Sequence, residues 1–118
     1  MKRLLISLVL LAMVLTFSSC AETTVKGSVV GESANGNAVL DIMPQKIMEN
    51  IEIGDTVFVT IGDFSEEMPF VDEPIAKEGK LQLVFDAENG SVNVCIFNKN
   101  FCDTYDVEIG EKVVISKK

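Results

Sequence analysis

The chain has no histidine and no tryptophan, one tyrosine, three prolines and three cysteines. Lack of histidine removes the usual general base at neutral pH and the commonest metal ligand. Cysteine in this number, with no histidine beside it, makes no zinc centre. Serine and threonine are present, but no base accompanies them to make a nucleophile. No glycine-rich phosphate loop occurs. Positive charge is also scarce, with 10 Lys and Arg against 18 Asp and Glu. That balance argues against nucleic acid, whose binding relies on cationic side chains neutralising phosphates. It argues equally against a body lying flat on anionic lipid. Long apolar runs are missing too: residues 4–17 fall short of the ~20 that a membrane-spanning helix needs. The composition therefore predicts a non-enzyme with no cofactor and no metal.

What is present begins with the first twenty residues. Met1-Lys2-Arg3 is a basic start, residues 4–17 are apolar, and Ser18-Ser19-Cys20 follow. This is the layout of a secretory signal peptide. A small-residue pair followed at once by cysteine resembles a bacterial lipobox, with Phe17 where leucine is usual and Leu15 two residues further back. The resemblance implies that Cys20 takes a diacylglycerol and becomes the mature N-terminus. Ala21, rather than aspartate, follows it, which in the familiar sorting rule favours the outer membrane of a Gram-negative envelope. The expected organisation is a signal peptide over 1–19, a lipidated tether over 20–24 and one domain over 25–118. The tether reaches about 13 Å when extended. Losing Lys2 and Arg3 with the signal makes the mature part more acidic than the whole chain at −8. Cys95 and Cys102 remain. Export permits a disulfide between them, and the reading adopted is two buried thiols.

The mature part reads almost entirely as strand. Residues 24–32 are β-rich and broken by Gly27 and Gly31, which suggests a bulged or bent strand. Alternation continues through 37–42, 55–61, 66–71, 80–87 and 91–97, with Asn89-Gly90 as a hairpin signal between the last two. Pro69 places the strand over 66–71 on an edge or at a bulge. Two stretches change period. Pro44 opens a short helix with Ile47, Met48 and Ile51 on one face, and Asn100 caps a second with Phe101 and Tyr105 at i, i+4.

Residues 50–61 and 106–117 nearly repeat each other at an offset of 56. Ile51-Glu52-Ile53-Gly54-Asp55 falls on Val107-Glu108-Ile109-Gly110-Glu111, and Asn37 and Asn93 open the strands upstream. The repeated unit is strand, short helix, glycine–acid turn, strand. Gly54 and Gly110 are expected to supply the positive φ that stops each helix. Asp55 and Glu111 are expected to accept backbone N–H groups in the turn, which accounts for them better than a pair of catalytic carboxylates does. Each unit leaves an apolar face open, so two copies close a core. The predicted fold is mainly β: a seven-stranded, pseudo-symmetric antiparallel β-barrel with two short helices.

The segments 36–42, 68–71 and 95–115 resemble the C-terminal β-barrel domain of the S-adenosylmethionine hydroxide adenosyltransferase family, which includes chlorinase- and fluorinase-like enzymes. The likeness extends over most of 25–115. It implies a barrel that helps to hold adenine, while the reacting groups of that family sit on a large N-terminal α/β domain. The family's Gly-Asn strand start falls on Asn37. Its Asn-x-Gly stretch falls on Asn98-Lys99-Asn100, where Asn100 replaces the glycine. Asn37, Asn98 and Asn100 are thus the candidate ligand residues, with turn and cap chemistry as their competing role.

Acidic pairs at Glu66-Glu67 and Asp72-Glu73 lack the ordered alternating ligands of a calcium site. The function expected is that of a membrane-anchored envelope lipoprotein whose non-catalytic barrel binds a nucleoside or other small molecule. The competing reading is a protein-interaction or structural module, docking a partner on its acidic face or on the Met68–Val71 edge.

Overall fold

Side chains alternate in and out along seven strands, and that alternation lets a single sheet curl until its ends meet. The computed structural model describes residues 24–118; Cys20 and the signal-like segment lie outside them. The elements are β1 (Thr24–Glu32), β2 (Ala38–Leu40), α1 (Pro44–Met48), β3 (Thr56–Ile61), β4 (Phe64–Val71), β5 (Leu81–Asp86), β6 (Ser91–Ile96), α2 (Phe101–Tyr105) and β7 (Lys112–Lys117). They form a closed barrel in the order β1-β2-β6-β5-β4-β3-β7. Thr24, assigned to the tether by sequence, is the first residue of β1 and pairs with Ser116.

The barrel is not wholly antiparallel. β4 and β5 run parallel, joined through Phe70↔Leu83 and Val71↔Val84, while the other neighbours are antiparallel. The reason is arithmetic. Strand direction cannot alternate all the way round a ring with an odd number of members, so at least one neighbouring pair must agree. Residues 72–80 make the crossover this requires, returning along the outside of the barrel from the end of β4 to the start of β5.

The repeat is a two-fold in space. Ala38 pairs with Val94 and Val59 with Ile115, each residue lying opposite its own counterpart at the offset of 56. The pseudo-axis passes through those two pairs, across the barrel, and exchanges its ends. Consequently α1 covers one end and α2 the other. Ile47 and Ile51 plug the first, while Phe101 plugs the second, all fully buried. Phe101, Phe64 and Tyr105 meet at ring separations of 4.7 to 5.3 Å around α2. Met48, expected on the buried face of α1, is 38% exposed. A helix of five residues has room to turn only part of one face inward.

β1 and β4 are the corner strands. The first half of β1 pairs with β7 and the second with β2, and a register shift between Val29 and Gly31 makes the bend. β4 pairs with β3 along its length and meets β5 only at its last two residues. Phe70 directs both its N–H and its C=O toward the turn before β3. By strand alternation, Pro69's missing donor therefore falls on the β5 side, where pairing begins only at Phe70. Met68 and Phe70 point into the core, 2% and 0% exposed, so they are not a docking edge.

The glycine–acid turns take a form that differs from helix stops. α1 ends at Glu49 in right-handed geometry, and α2 ends on Asp106 in the left-handed region at φ 54°. Gly54 and Gly110, at φ 100° and 99°, sit several residues later in separate turns that lead into β3 and β7. Asp55 Oδ2 accepts the Glu52 N–H at 2.9 Å, and Glu111 Oε2 accepts that of Glu108 at 3.0 Å. The Gly54 N–H donates to Phe70 O and the Gly110 N–H to Val29 O, which ties each turn to a corner strand. The acids keep the structural role expected of them.

Gly54→Val and Gly110→Val should each lose at least about 1 kcal/mol in chemical denaturation through forced positive φ. A Cβ at either position meets no atom within 4 Å, so an equal loss from alanine would locate the cost in the backbone. The Glu52 N–H holds the Asp55 carboxyl below its ordinary 3.8; partial burial opposes this and Lys117, at 3.4 Å, adds to it. A depressed folded value means stability that is complete above the ordinary value and lost as pH falls through the folded one. Asp55→Asn should flatten the stability profile of the protein in that acid window, measured by denaturant midpoints across pH.

Candidate functional site

Asn37, Asn98 and Asn100, separated in sequence, line one cavity of about 500 Å³ together with Asn35, Phe97 and Pro74. It lies at the α2 end, where the loop between β1 and β2 faces the corner between β6 and α2. Each asparagine has a local reason for its place. Asn100 Oδ1 accepts the Asp103 N–H at 2.9 Å, capping α2 as its sequence position suggests. Gly36 lies flat against that amide: a Cβ there would meet Asn100 Cγ at 2.0 Å. Gly36 O also accepts the Cys102 N–H at 2.9 Å, so the loop and the helix start are locked together.

Asn37 follows directly. Its N–H donates to Ser33 Oγ at 3.0 Å, which fixes the backbone, and its side chain is half-buried on the outer face of the barrel. Among the described residues no hydrogen bond engages its amide. Asn98 sits at φ 61°, the left-handed geometry that asparagine tolerates better than most residues. Its Nδ2 donates to Glu78 Oε2 at 3.0 Å, which leaves Oδ1 as an acceptor. The cavity thus offers amide donors and acceptors around the apolar surfaces of Phe97 and Pro74.

The crossover supplies the wall that the sequence did not disclose. Residues 72–80 lie over Gln82, Val84 and Cys95, which alternate with the core residues Leu83 and Val94 and so belong to the outer face. Gln82 is fully buried and grips the crossover at Ile75. Its Oε1 accepts the Ile75 N–H at 2.6 Å, and its Nε2 donates to Ile75 O at 3.1 Å and to Lys80 O at 3.3 Å. Nothing in the alternation of residues 80–87 marks Gln82 as anything but a solvent-facing polar residue; the signal for its burial is the strand parity.

On the other side of Pro74 a second cavity, about 530 Å³, shares Asn37, Pro74 and Cys95 with the first. Asp72, Glu73, Asp86 and Glu88 surround it, and Asn93, the repeat partner of Asn37, lines it with a buried Oδ1 that has no partner among the described residues. Burial pushes the Cys95 thiol up to about 11. Cys102 is raised as well, by burial and by the charges of Glu32 and Asp103. Both are buried free thiols. Among the described residues no group of three or more histidines, cysteines or carboxylates is placed to hold a metal.

Gln82→Leu should cost about 1–3 kcal/mol, because the Ile75 amide would be left buried and unpaired. Faster amide exchange at Ile75 than at the core residue Leu83 would show that the crossover, rather than the barrel, has loosened.

No family model matches the chain, and no curated protein matches it. Among solved structures, it is similar to an uncharacterized conserved protein from Thermotoga maritima at 17% identity and a TM-score of 0.71, over 80% of this chain and 36% of that one. It is also similar to a conserved hypothetical protein from Thermus thermophilus at 16% identity and a TM-score of 0.56, over 79% of this chain and 34% of that one. The likeness is one of fold: the chain spans about a third of the length of each solved structure, so in them this barrel is part of something larger.

Proposed function

We propose that this chain is a non-catalytic binding module, held at a bacterial outer membrane through a lipidated Cys20, whose barrel holds a nucleoside-sized ligand in the asparagine cavity. The observation that carries the reading is the convergence of Asn37 and Asn98 on one cavity. Its volume falls within the ~300–1,000 Å³ of small-molecule sites. An amide side chain presents donor and acceptor side by side, which matches the edge of a nitrogen heterocycle. Phe97 and Pro74 supply apolar surface for its faces.

The resemblance to the adenosyltransferase barrel domain agrees with this chemistry, and so does the occurrence of the fold within longer chains. In that family the reacting groups lie outside the barrel. Here the absence of histidine and the raised thiols support binding without turnover. Asn100, which stands where the family has glycine, is engaged as a cap and as the seat of Gly36. Contact with the ring edge therefore falls to Asn37 and Asn98.

Calorimetry and thermal-shift measurements with adenosine and S-adenosylmethionine should show saturable binding and stabilisation. Asn37→Ala should weaken binding about 3- to 10-fold, the worth of roughly one hydrogen bond, without lowering the melting temperature of the free protein. Absence of both heat and stabilisation at millimolar ligand overturns the ligand class. For the anchor, Cys20→Ala should move the protein from the membrane fraction to the soluble one.

A further inference from the structure

Topology fixes which end of the barrel the chain reaches from Cys20. β1 begins at Thr24 beside Ser116, and Val57 beside Lys117 places the start of β3 at the same end. α1 covers it. Met43 and Lys46 share a concavity there with Thr24, Val25 and Lys26. Large apolar side chains stand in solvent on this end: Met43 is 64% exposed, Ile53 42% and Met48 38%. Lys26 and Lys46 line that concavity, while Lys117 and Lys118 pair with Asp55 and Glu67.

We infer that this α1 end is the face laid against the lipid surface, so that the asparagine cavity opens away from it. The inference rests on lipidation of Cys20 and goes beyond it, because an anchor alone does not orient a domain. Extended chain at about 3.3–3.6 Å per residue gives the tether from Cys20 to Thr24 a reach of about 13 Å. β1 then carries the opposite end about 25 Å further away. A tether so short holds the α1 end at the interface and keeps the α2 end from it.

Exposed apolar side chains occur at both ends, Ile109 and Val30 at the other, so the choice of end rests on the tether and these side chains supply the contact. Methionine and isoleucine side chains partition into the headgroup boundary, and lysine stems lie along apolar surface while their ammonium groups stay in water. Asp41, Glu49, Glu52 and Asp55 share this end, and so do Asp72, Glu73, Asp86 and Glu88, because β4 and β5 both run toward it. The lipid it fits is accordingly zwitterionic rather than anionic.

The chain contains no tryptophan, so one introduced indole reports one site. Met43→Trp, Ile53→Trp, Ile109→Trp and Val30→Trp are made in the lipidated protein. Each is reconstituted into phosphatidylethanolamine–phosphatidylcholine vesicles carrying brominated acyl chains. Emission at 43 and 53 should be quenched and blue-shifted, whereas emission at 109 and 30, on the α2 end, should be neither. Quenching at 109 or 30 as strong as at 43, or none at 43 and 53, in protein that floats with the vesicles overturns the orientation and leaves the anchor standing. A Cys20→Ala protein that still floats removes the anchor and this inference with it.

Discussion

Seven strands closed in a ring must contain a parallel pair, and much of what distinguishes this barrel follows from that constraint. Antiparallel neighbours can be joined by a short turn, but parallel neighbours need a connection that travels the length of the strand. In most folds a helix makes that journey. Here a loop makes it, with no regular structure of its own, and its backbone polar groups need partners. Gln82 supplies them at Ile75, accepting from the N–H and donating to the carbonyl. A buried glutamine is costly when unpaired, and here both ends of its amide are engaged. The crossover thereby turns the outer face of β5 and β6 into a second packed layer, with Val84 and Cys95 beneath it.

The same constraint explains why the two halves of a near-symmetric barrel differ in chemistry. Without β4 and the crossover, β1-β2-α1-β3 and β5-β6-α2-β7 would form an even, fully antiparallel ring with matching corners. Concavities do exist at both corners where a strand turns into its helix. One is lined by Asp41, Met43 and Lys46; the other, walled by Pro74 of the crossover, gathers asparagines. The insertion that breaks the symmetry thus adds a wall to one corner only. Two copies of a unit are enough to close a core, and the core residues Val59 and Ile115 remain interchangeable across the axis. Side chains outside the core were free to diverge once the insertion had made the corners unequal.

Local rules carried the sequence reading as far as they reach. Period-two alternation located the strands, the repeat located the axis, and Asn100 was legible as a cap because capping depends on residues only three apart. The three candidate asparagines converge because two of them lead into α2 and the third leads into β2, elements that the barrel brings to one end. What failed is what depends on distant partners. Gly54 looks like a helix stop because glycine after an apolar helical stretch usually is one. The α1 helix is instead too short to reach it, and the glycine serves a turn whose N–H answers Phe70 in another strand. Pro69 looks like an edge marker; it lies in a closed barrel, one residue before β4 begins to pair with β5. Gln82 looks solvated because alternation says which face a residue is on, not whether that face is covered.

Rigidity is the remaining consequence of these bonds. The loop between β1 and β2 is pinned to α2 by Gly36, the crossover is pinned by Gln82, and Phe97 exchanges backbone bonds with Gly79 and Lys80. Every wall of the asparagine cavity is therefore held by hydrogen bonds that exist before any ligand arrives. A preformed site spends little binding energy on ordering its own side chains and loops. The binding proposed above draws on that preformed cavity. The cavity lies at the far end from β1's first residue, which in the proposed orientation is the end turned to solvent.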